Sequence, residues 1–359
     1  MAIPYSRYVF GQLPWYSVLI VTGILLSYWL GTREERRLGL PKDSMLDLTL
    51  FTVPCGIVGA RLYYVAMRWD QFAANPISAL YIWEGGIAIY GAVIGGAIAL
   101  YCYARVRKVS FGALLDIASP GLVLAQALGR WGNYFNQEAY GPRIADAAWQ
   151  FFPFGVLIEE NGARVWHVAT FFYESVWDLL CFGVLWLTRK RMKRRGDTFL
   201  WYLILYGGGR YLVEQLRTDS LYVADFRASQ YLSLLFCLIA AAVFLCRLAK
   251  EKRGLPLLAA ALCCALPFLR MLLPTNTHLY LIALAFYALT ITLTLAAKDM
   301  PRFAVWWLIA DALVYIGLLV FDLGWLWRSP YFAYAGMSLP IYLLIPYAML
   351  PRAPQEAAA

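Results

Sequence analysis

Eleven stretches of predominantly apolar residues, each roughly the 20 residues that span a bilayer, leave this chain little choice of architecture. They lie near 13–31, 45–67, 86–104, 112–135, 169–188, 198–216, 228–246, 255–273, 279–297, 303–321 and 333–350. A segment in hydrocarbon must satisfy its own backbone N–H and C=O groups, so each stretch is read as a helix. A hydrophobic content of 62% and a mean hydropathy of +0.59 exceed those of a soluble domain. The expected fold is therefore all-α, a polytopic helical membrane protein, and the 14 Trp and 25 Tyr suit interfacial belts. No basic n-region or small-residue cleavage site accompanies the first stretch, so no cleavable signal is expected.

The net charge of +9 follows the loops and is not a nucleic-acid footprint. Alternate loops bring together Arg33, Arg36, Arg37 and Lys42, then Arg105, Arg107 and Lys108, then the run TRKRMKRRG (188–196). With Arg247, Lys250, Lys252, Arg253, Lys298, Arg302 and Arg352, 20 of the 31 Lys and Arg fall on one side. Cytoplasmic loops carry such an excess, which places the N-terminus outside and the C-terminus in the cytoplasm. The run at 188–196 is read as a topology anchor at anionic lipid. None of the seven cysteines forms a C-x-x-C pair, and only two histidines occur. Neither a metal, a cofactor nor a structural disulfide is expected.

Against this apolar background the polar groups stand out. GRWGNYFNQEAYG (129–141) closes the fourth stretch. At 100° per residue, Gln126, Arg130, Asn133 and Gln137 share a narrow stripe with Asn136 at its edge. Glu138 and Gly141 lie off it, so the helix is expected to open into a loop there. An ionised side chain near hydrocarbon costs at least ~2.5–3.5 kcal/mol, so it marks a functional site by default. In YGGGRYLVEQLRTDSL (206–221), Arg210, Glu214 and Arg217 sit at i, i+4 and i+7 on one face. The three glycines before them let neighbouring backbones approach.

Placed by depth, Arg61, Glu84, Tyr90 and Tyr16 also fall in the outer parts of their helices, while the inner halves are almost free of charge. This sorting points to one outward-facing polar cavity. Two cations around one carboxylate in the sixth helix, with Arg130 and Arg61 added, leave a positive excess. Guanidinium offers a planar bidentate fork, so such a site suits the phosphate of a lipid headgroup. The external loop 136–168 reads as a lid or docking surface, or as a plain connector.

These segments, in this order, resemble the prolipoprotein diacylglyceryl transferases. The resemblance rests on WEGGIAIYGAVIGG (83–96), GRWGNYFNQEAYG (129–141), HVATFFYESVWDLL (167–180) and GDTFLWYLILYGGGRYLVEQLRTDSL (196–221). PWYSVLI (14–20), VGARLYY (58–64) and RASQYLSLLF (227–236) add shorter agreements, so about residues 5–250 are covered. It implies an enzyme of the bacterial inner membrane. That enzyme moves the sn-1,2-diacylglyceryl group from phosphatidylglycerol to the lipobox cysteine of a prolipoprotein and releases glycerol phosphate. The family's G-R-x-G-N arginine and asparagine fall on Arg130 and Asn133, and its next asparagine, glutamate and glycine on Asn136, Glu138 and Gly141. Its later arginine and glutamate fall on Arg210 and Glu214, and its first-helix tyrosine on Tyr16. Where some members carry histidine in the third-helix turn, this chain has Tyr90, which puts a histidine base in doubt.

The chemistry then asks for phosphate stabilisation, orientation and a proton acceptor. Arg130 and Arg210 fit the first, with Arg61 as a further headgroup contact. Asn133, Asn136 and Gly141 fit lipid binding, Tyr16 and Tyr90 can hydrogen-bond thiol or leaving oxygen, and Glu138 or Glu214 can take the proton or hold an arginine. A phospholipid-binding or transport protein on the same scaffold, or a transferase with another acceptor, is the alternative. Residues 1–250 are read as a seven-helix transferase core. Residues 251–359 add about four helices that carry Arg270, Asp311, Asp322 and Arg328 without an assignable motif.

Overall fold

A computed structural model describes residues 6–160, 162–218, 222–223, 226–251, 254–272, 277–297, 300–320 and 329–351. Lys252, Arg253, Lys298, Asp322, Arg328 and Arg352 lie outside the described residues, as do the side chains of Glu84 and Arg270. Each apolar stretch carries a long helix: α1 (Trp15–Arg37), α2 (Ser44–Met67), α3 (Ile89–Arg107), α4 (Phe111–Asn136), α5 (Thr170–Thr188) and α6 (Asp197–Glu214). The series continues with α7 (Ala228–Glu251), α8 (Leu255–Leu272), α9 (Thr277–Ala296), α10 (Arg302–Val320) and α11 (Ser329–Met349). Among the described residues, 6 helices are long and apolar enough to cross a bilayer by length and composition. The chain is a multi-pass, helical membrane protein.

Helix ends depart from the apolar stretches where side chains intervene. The first helix continues to Arg37, beyond the apolar run, because its two acidic residues are buried and partnered. Glu34 pairs with Arg37 and Arg189, each at 2.6 Å. Glu35 accepts the N–H groups of Asp43 at 3.0 Å and Met45 at 2.6 Å, which satisfies donors at the start of α2. The third helix begins at Ile89, later than expected, because a 3-10 turn at Ile82–Glu84 precedes it. α6 is entered through a charge-assisted cap from a neighbour: Asp116 of α4 accepts from Gly196 N–H at 2.6 Å and Phe199 N–H at 3.1 Å.

The C-terminal helices share a core with the earlier ones. Leu200 and Ile204 of α6 and Phe244 and Leu248 of α7 are buried with Tyr342, Leu343 and Ile345 of α11. Lys193, in the basic run, reaches the end of α11. Its Nζ donates to the carbonyls of Tyr347, Ala348 and Leu350 at 2.8, 2.9 and 2.5 Å, where a cation offsets the negative helix end. Within the extension, Asp311 of α10 is fully buried and accepts the hydroxyls of Tyr287 and Tyr342, clipping three helices together.

The longest strands lie between α4 and α5. Gly155–Glu160 and Ala163–Val168 form an antiparallel hairpin, in register from Gly155↔Val168 to Glu160↔Ala163. It hangs from α4: the Gln137 side chain accepts Glu159 N–H at 2.8 Å. The long loop is thus a docked hairpin.

Candidate active site

Three helices converge on one buried carboxylate. Glu174 lies in the first turns of α5 and is 3% exposed. Arg130 of α4 reaches its Oε1 with Nη2 at 3.0 Å. Arg210 of α6 donates from Nη1 to both carboxylate oxygens, at 2.9 and 2.8 Å. The other end of the Arg210 fork, Nη2, meets Glu214 Oε2 at 2.7 Å, and Arg217 stands 3.9 Å from that oxygen. The side chains of Arg130 and Arg210 keep 19% and 15% exposure. Both guanidiniums are therefore held by Glu174 on side chains that stay partly exposed. Arginine carries five N–H donors, so both retain hydrogen-bonding capacity beyond these pairs.

Sequence reasoning missed Glu174. The signal was present: Glu174 and Asp178 sit at i, i+4 inside the otherwise apolar helix HVATFFYESVWDLL. Their partners are on other helices, however, and helical spacing pairs only residues of one segment. With Glu174 in place, the expected positive excess shrinks. Arg130, Arg210 and Arg217 face Glu174 and Glu214, and Asp178 lies about one turn deeper in α5, fully buried. Neither oxygen of Asp178 has a hydrogen-bond partner among the described residues. The polar cluster thus reaches further into the membrane than the sorting by depth implied.

Arg61 does not join this cluster. Its guanidinium donates to the carbonyls of Ala79, Gly85, Gly86, Ser78 and Tyr81 at 2.6–3.3 Å. It is 7% exposed and organises the 78–86 loop, so the guanidinium expected at a lipid headgroup is engaged by backbone carbonyls instead. Tyr90, in the first turn of α3, has its ring 6.2 Å from that of Tyr63, centroid to centroid. Tyr16 of α1 packs against Gly132, where any Cβ would collide with its ring.

The end of α4 folds back over the site. Gln137 and Ala139 both take left-handed φ, 55° and 58°, so the helix stops at Asn136 and Glu138 turns towards it. Glu138 Oε1 accepts from the amides of Asn133 at 3.0 Å and Asn136 at 3.2 Å. Gly141 is a crossing point of the chain. Its N–H donates to Val168 O at 3.0 Å, its carbonyl accepts from His167 Nδ1 at 2.8 Å, and a Cβ there would meet Leu216 O and Val168 Cβ at 2.8 Å. Gly141→Ala is expected to destabilise the docked loop by about 1–3 kcal/mol, the usual size of an overpacking penalty. The check is a lower unfolding temperature in detergent, and an unchanged one would show that the crossing has slack.

The hairpin is clasped from the same side. Arg143 binds Glu160 Oε2 through Nη2 at 2.5 Å, and Tyr140 donates to Oε1 at 3.1 Å. The Arg143 hydrogen bond is the largest influence holding the Glu160 carboxyl below the usual carboxylate range, with Tyr140 and His167 adding to it. In α6, the glycine run has a comparable steric cause. The indole of Trp177 lies against Gly209 and donates from Nε1 to Leu205 O at 2.9 Å. That contact lets α5 and α6 approach closely enough for Glu174 and Arg210 to pair.

Comparison with known proteins gives a single answer. The family described as prolipoprotein diacylglyceryl transferase matches residues 7–246. Phosphatidylglycerol–prolipoprotein diacylglyceryl transferase of Oceanobacillus iheyensis is 47% identical over 231 residues, 63% of this chain and 80% of the relative. The Enterococcus faecalis protein of that name is 44% identical over 238 residues, 65% of this chain and 86% of its own. That of Lysinibacillus sphaericus is 43% identical over 251 residues, 67% of this chain and 91% of the relative. The match takes in every helix that contributes to the Arg130–Glu174–Arg210 network, and the chain belongs to the prolipoprotein diacylglyceryl transferase family, as a membrane-embedded transferase.

Proposed function

We propose that this chain transfers the sn-1,2-diacylglyceryl group of phosphatidylglycerol to the lipobox cysteine of a prolipoprotein, the first step of bacterial lipoprotein maturation. The observation that carries the reading is the pair of guanidiniums, on partly exposed side chains, fixed by one buried carboxylate. The relatives named for this donor and acceptor support it.

In the reaction the thiol sulfur attacks the glycerol carbon that bears the phosphate ester. A C–S bond forms, the C–O bond breaks, and its electron pair leaves on glycerol phosphate. Arg130 and Arg210 stabilise the charge growing on that phosphate, which positioned donors do best where water is excluded. Glu174 positions both arginines. A free thiol has a pKa of ~8.5, so its proton needs an acceptor near neutral pH. Glu214 is buried against Arg210 and Arg217. Glu138 is exposed and bridged through one oxygen to Asn133 and Asn136, so we assign it the proton. Tyr16, beside Arg130, orients the leaving phosphate, and Tyr90 lies on the approach of the second substrate.

The loop charges support an external N-terminus and a site in the outer leaflet of the cytoplasmic membrane. We further assign transfer to residues 1–250. Every member of the ion-pair network lies before that boundary, and 251–359 serve packing. The decisive experiment incubates purified protein with phosphatidylglycerol and a lipobox peptide. A mass gain of one diacylglyceryl group on the cysteine is expected, from the full chain and from one ending near residue 253. Retained lipid with no modified peptide would make this a lipid-binding protein instead. Activity lost on a well-folded truncation would place the extension in the catalytic machinery.

A further inference from the structure

Away from the ion-pair network, α2 and α3 meet along Gly59, Gly91 and Gly95, where a Cβ on either helix would strike the opposite backbone. Beside this seam runs a groove of about 950 Å³. Tyr63 lies at one end and Asp47, Tyr103 and Arg107 at the other, and the walls between are apolar. From Asp47 to Tyr63 is roughly 24 Å at 1.5 Å per residue, against a hydrocarbon thickness of ~30 Å. Spread over that length, the volume corresponds to a cross-section of about 40 Å². A helix ~10–12 Å wide needs about two to three times that, whereas extended hydrocarbon chains fit.

The polar end supplies the charge. The Tyr103 hydroxyl donates to Asp47 Oδ2 at 3.2 Å. Arg107 stands 3.8 Å from the same oxygen, and its side chain is 46% exposed. Asp47 thus has a closer partner than Arg107, whose fork is loosely held. Arg105 and Lys108 add positive charge at the same helix end. This end of α3 is opposite the one that carries Tyr90.

We propose that this groove binds an anionic glycerophospholipid, its phosphate on Arg107 and its acyl chains along Phe51, Cys55, Ile98 and Cys102. One leaflet is about 15 Å deep, half the hydrocarbon thickness, which carries the chains from Arg107 past Ile98. The lipid lies in the leaflet opposite the transfer site and is separate from the substrate held by Arg130 and Arg210. It neutralises the basic end of α3 and fills the flank of the glycine seam.

The test uses the full chain in phosphatidylcholine vesicles, without peptide acceptor, so it reads independently of transfer. Small amounts of phosphatidylglycerol or phosphatidylcholine with a photoactivatable acyl chain are added, and cross-linked peptides are mapped. Phosphatidylglycerol is expected to label the Phe51–Cys55 and Ile98–Arg107 segments more than phosphatidylcholine does. Arg107→Gln should lower that labelling about five-fold, as expected for one cation at a lipid surface. Ile98→Trp, which fills the groove, should remove it. Should Ile98→Trp misfold, the exposed Arg107→Gln change still decides. Equal labelling by both lipids, or phosphatidylglycerol labelling that survives Arg107→Gln, would overturn the proposal by reducing the groove to ordinary annular contact.

Discussion

Replacing Glu174 by Gln is expected to lower turnover at least about 10²-fold, the scale of losing one preorganised charge-stabilising contact. The substitution preserves shape and removes the charge that holds Arg130 and Arg210. Breaking a buried ion pair from one side leaves the remaining charges uncompensated, at about 3–5 kcal/mol. Part of this is lost stability, and the rest is two guanidiniums released from the geometry the phosphate requires. Arg130→Lys and Arg210→Lys should match it in magnitude, because lysine is a point charge without the planar fork. Arg210 is the more sensitive, since it bridges Glu174 and Glu214 at once. The measurement is kcat and KM for phosphatidylglycerol in the lipid-to-peptide assay, with membrane insertion verified for each variant. A Glu174→Gln protein with near wild-type kcat would remove the carboxylate from the mechanism.

Arg61→Ala is expected to unfold the segment ahead of α3 and depress the unfolding temperature together with activity. Five carbonyls lose their donor, and each buried group left unsatisfied costs about 1–3 kcal/mol, less where water enters the relaxed loop. The Phe72 ring also loses the guanidinium 5.2 Å from its centroid. Tyr90 follows directly: Ala88 N–H donates to Ala60 O at 3.1 Å, one residue before Arg61. Arg61→Lys should rescue little, since one ammonium cannot reach all five acceptors. Thermal unfolding in detergent and the transfer assay read the two effects. An unchanged unfolding temperature with a raised KM for lipid would restore Arg61 as a headgroup contact.

The sequence by itself determined the architecture and the raw material of the site. Each apolar stretch became a helix because hydrocarbon leaves the backbone no other partner than itself. Arg130, Asn133, Asn136 and Glu138 lie within nine residues of one segment. Arg210, Glu214 and Arg217 likewise share one helix face and the turn after it, so local spacing was enough to group each set. Tertiary structure decided what those groups do. Arg61 and Arg130 look alike in sequence, yet one meets backbone carbonyls and the other a carboxylate. Glu174 stayed unnoticed among apolar residues because both arginines that define it come from other helices. Gly141 and Gly209 owe their identity to a carbonyl and an indole distant in the chain. Periodicity reports on neighbours along one helix, whereas a charge at this depth is defined by what is packed against it, and only the fold specifies that.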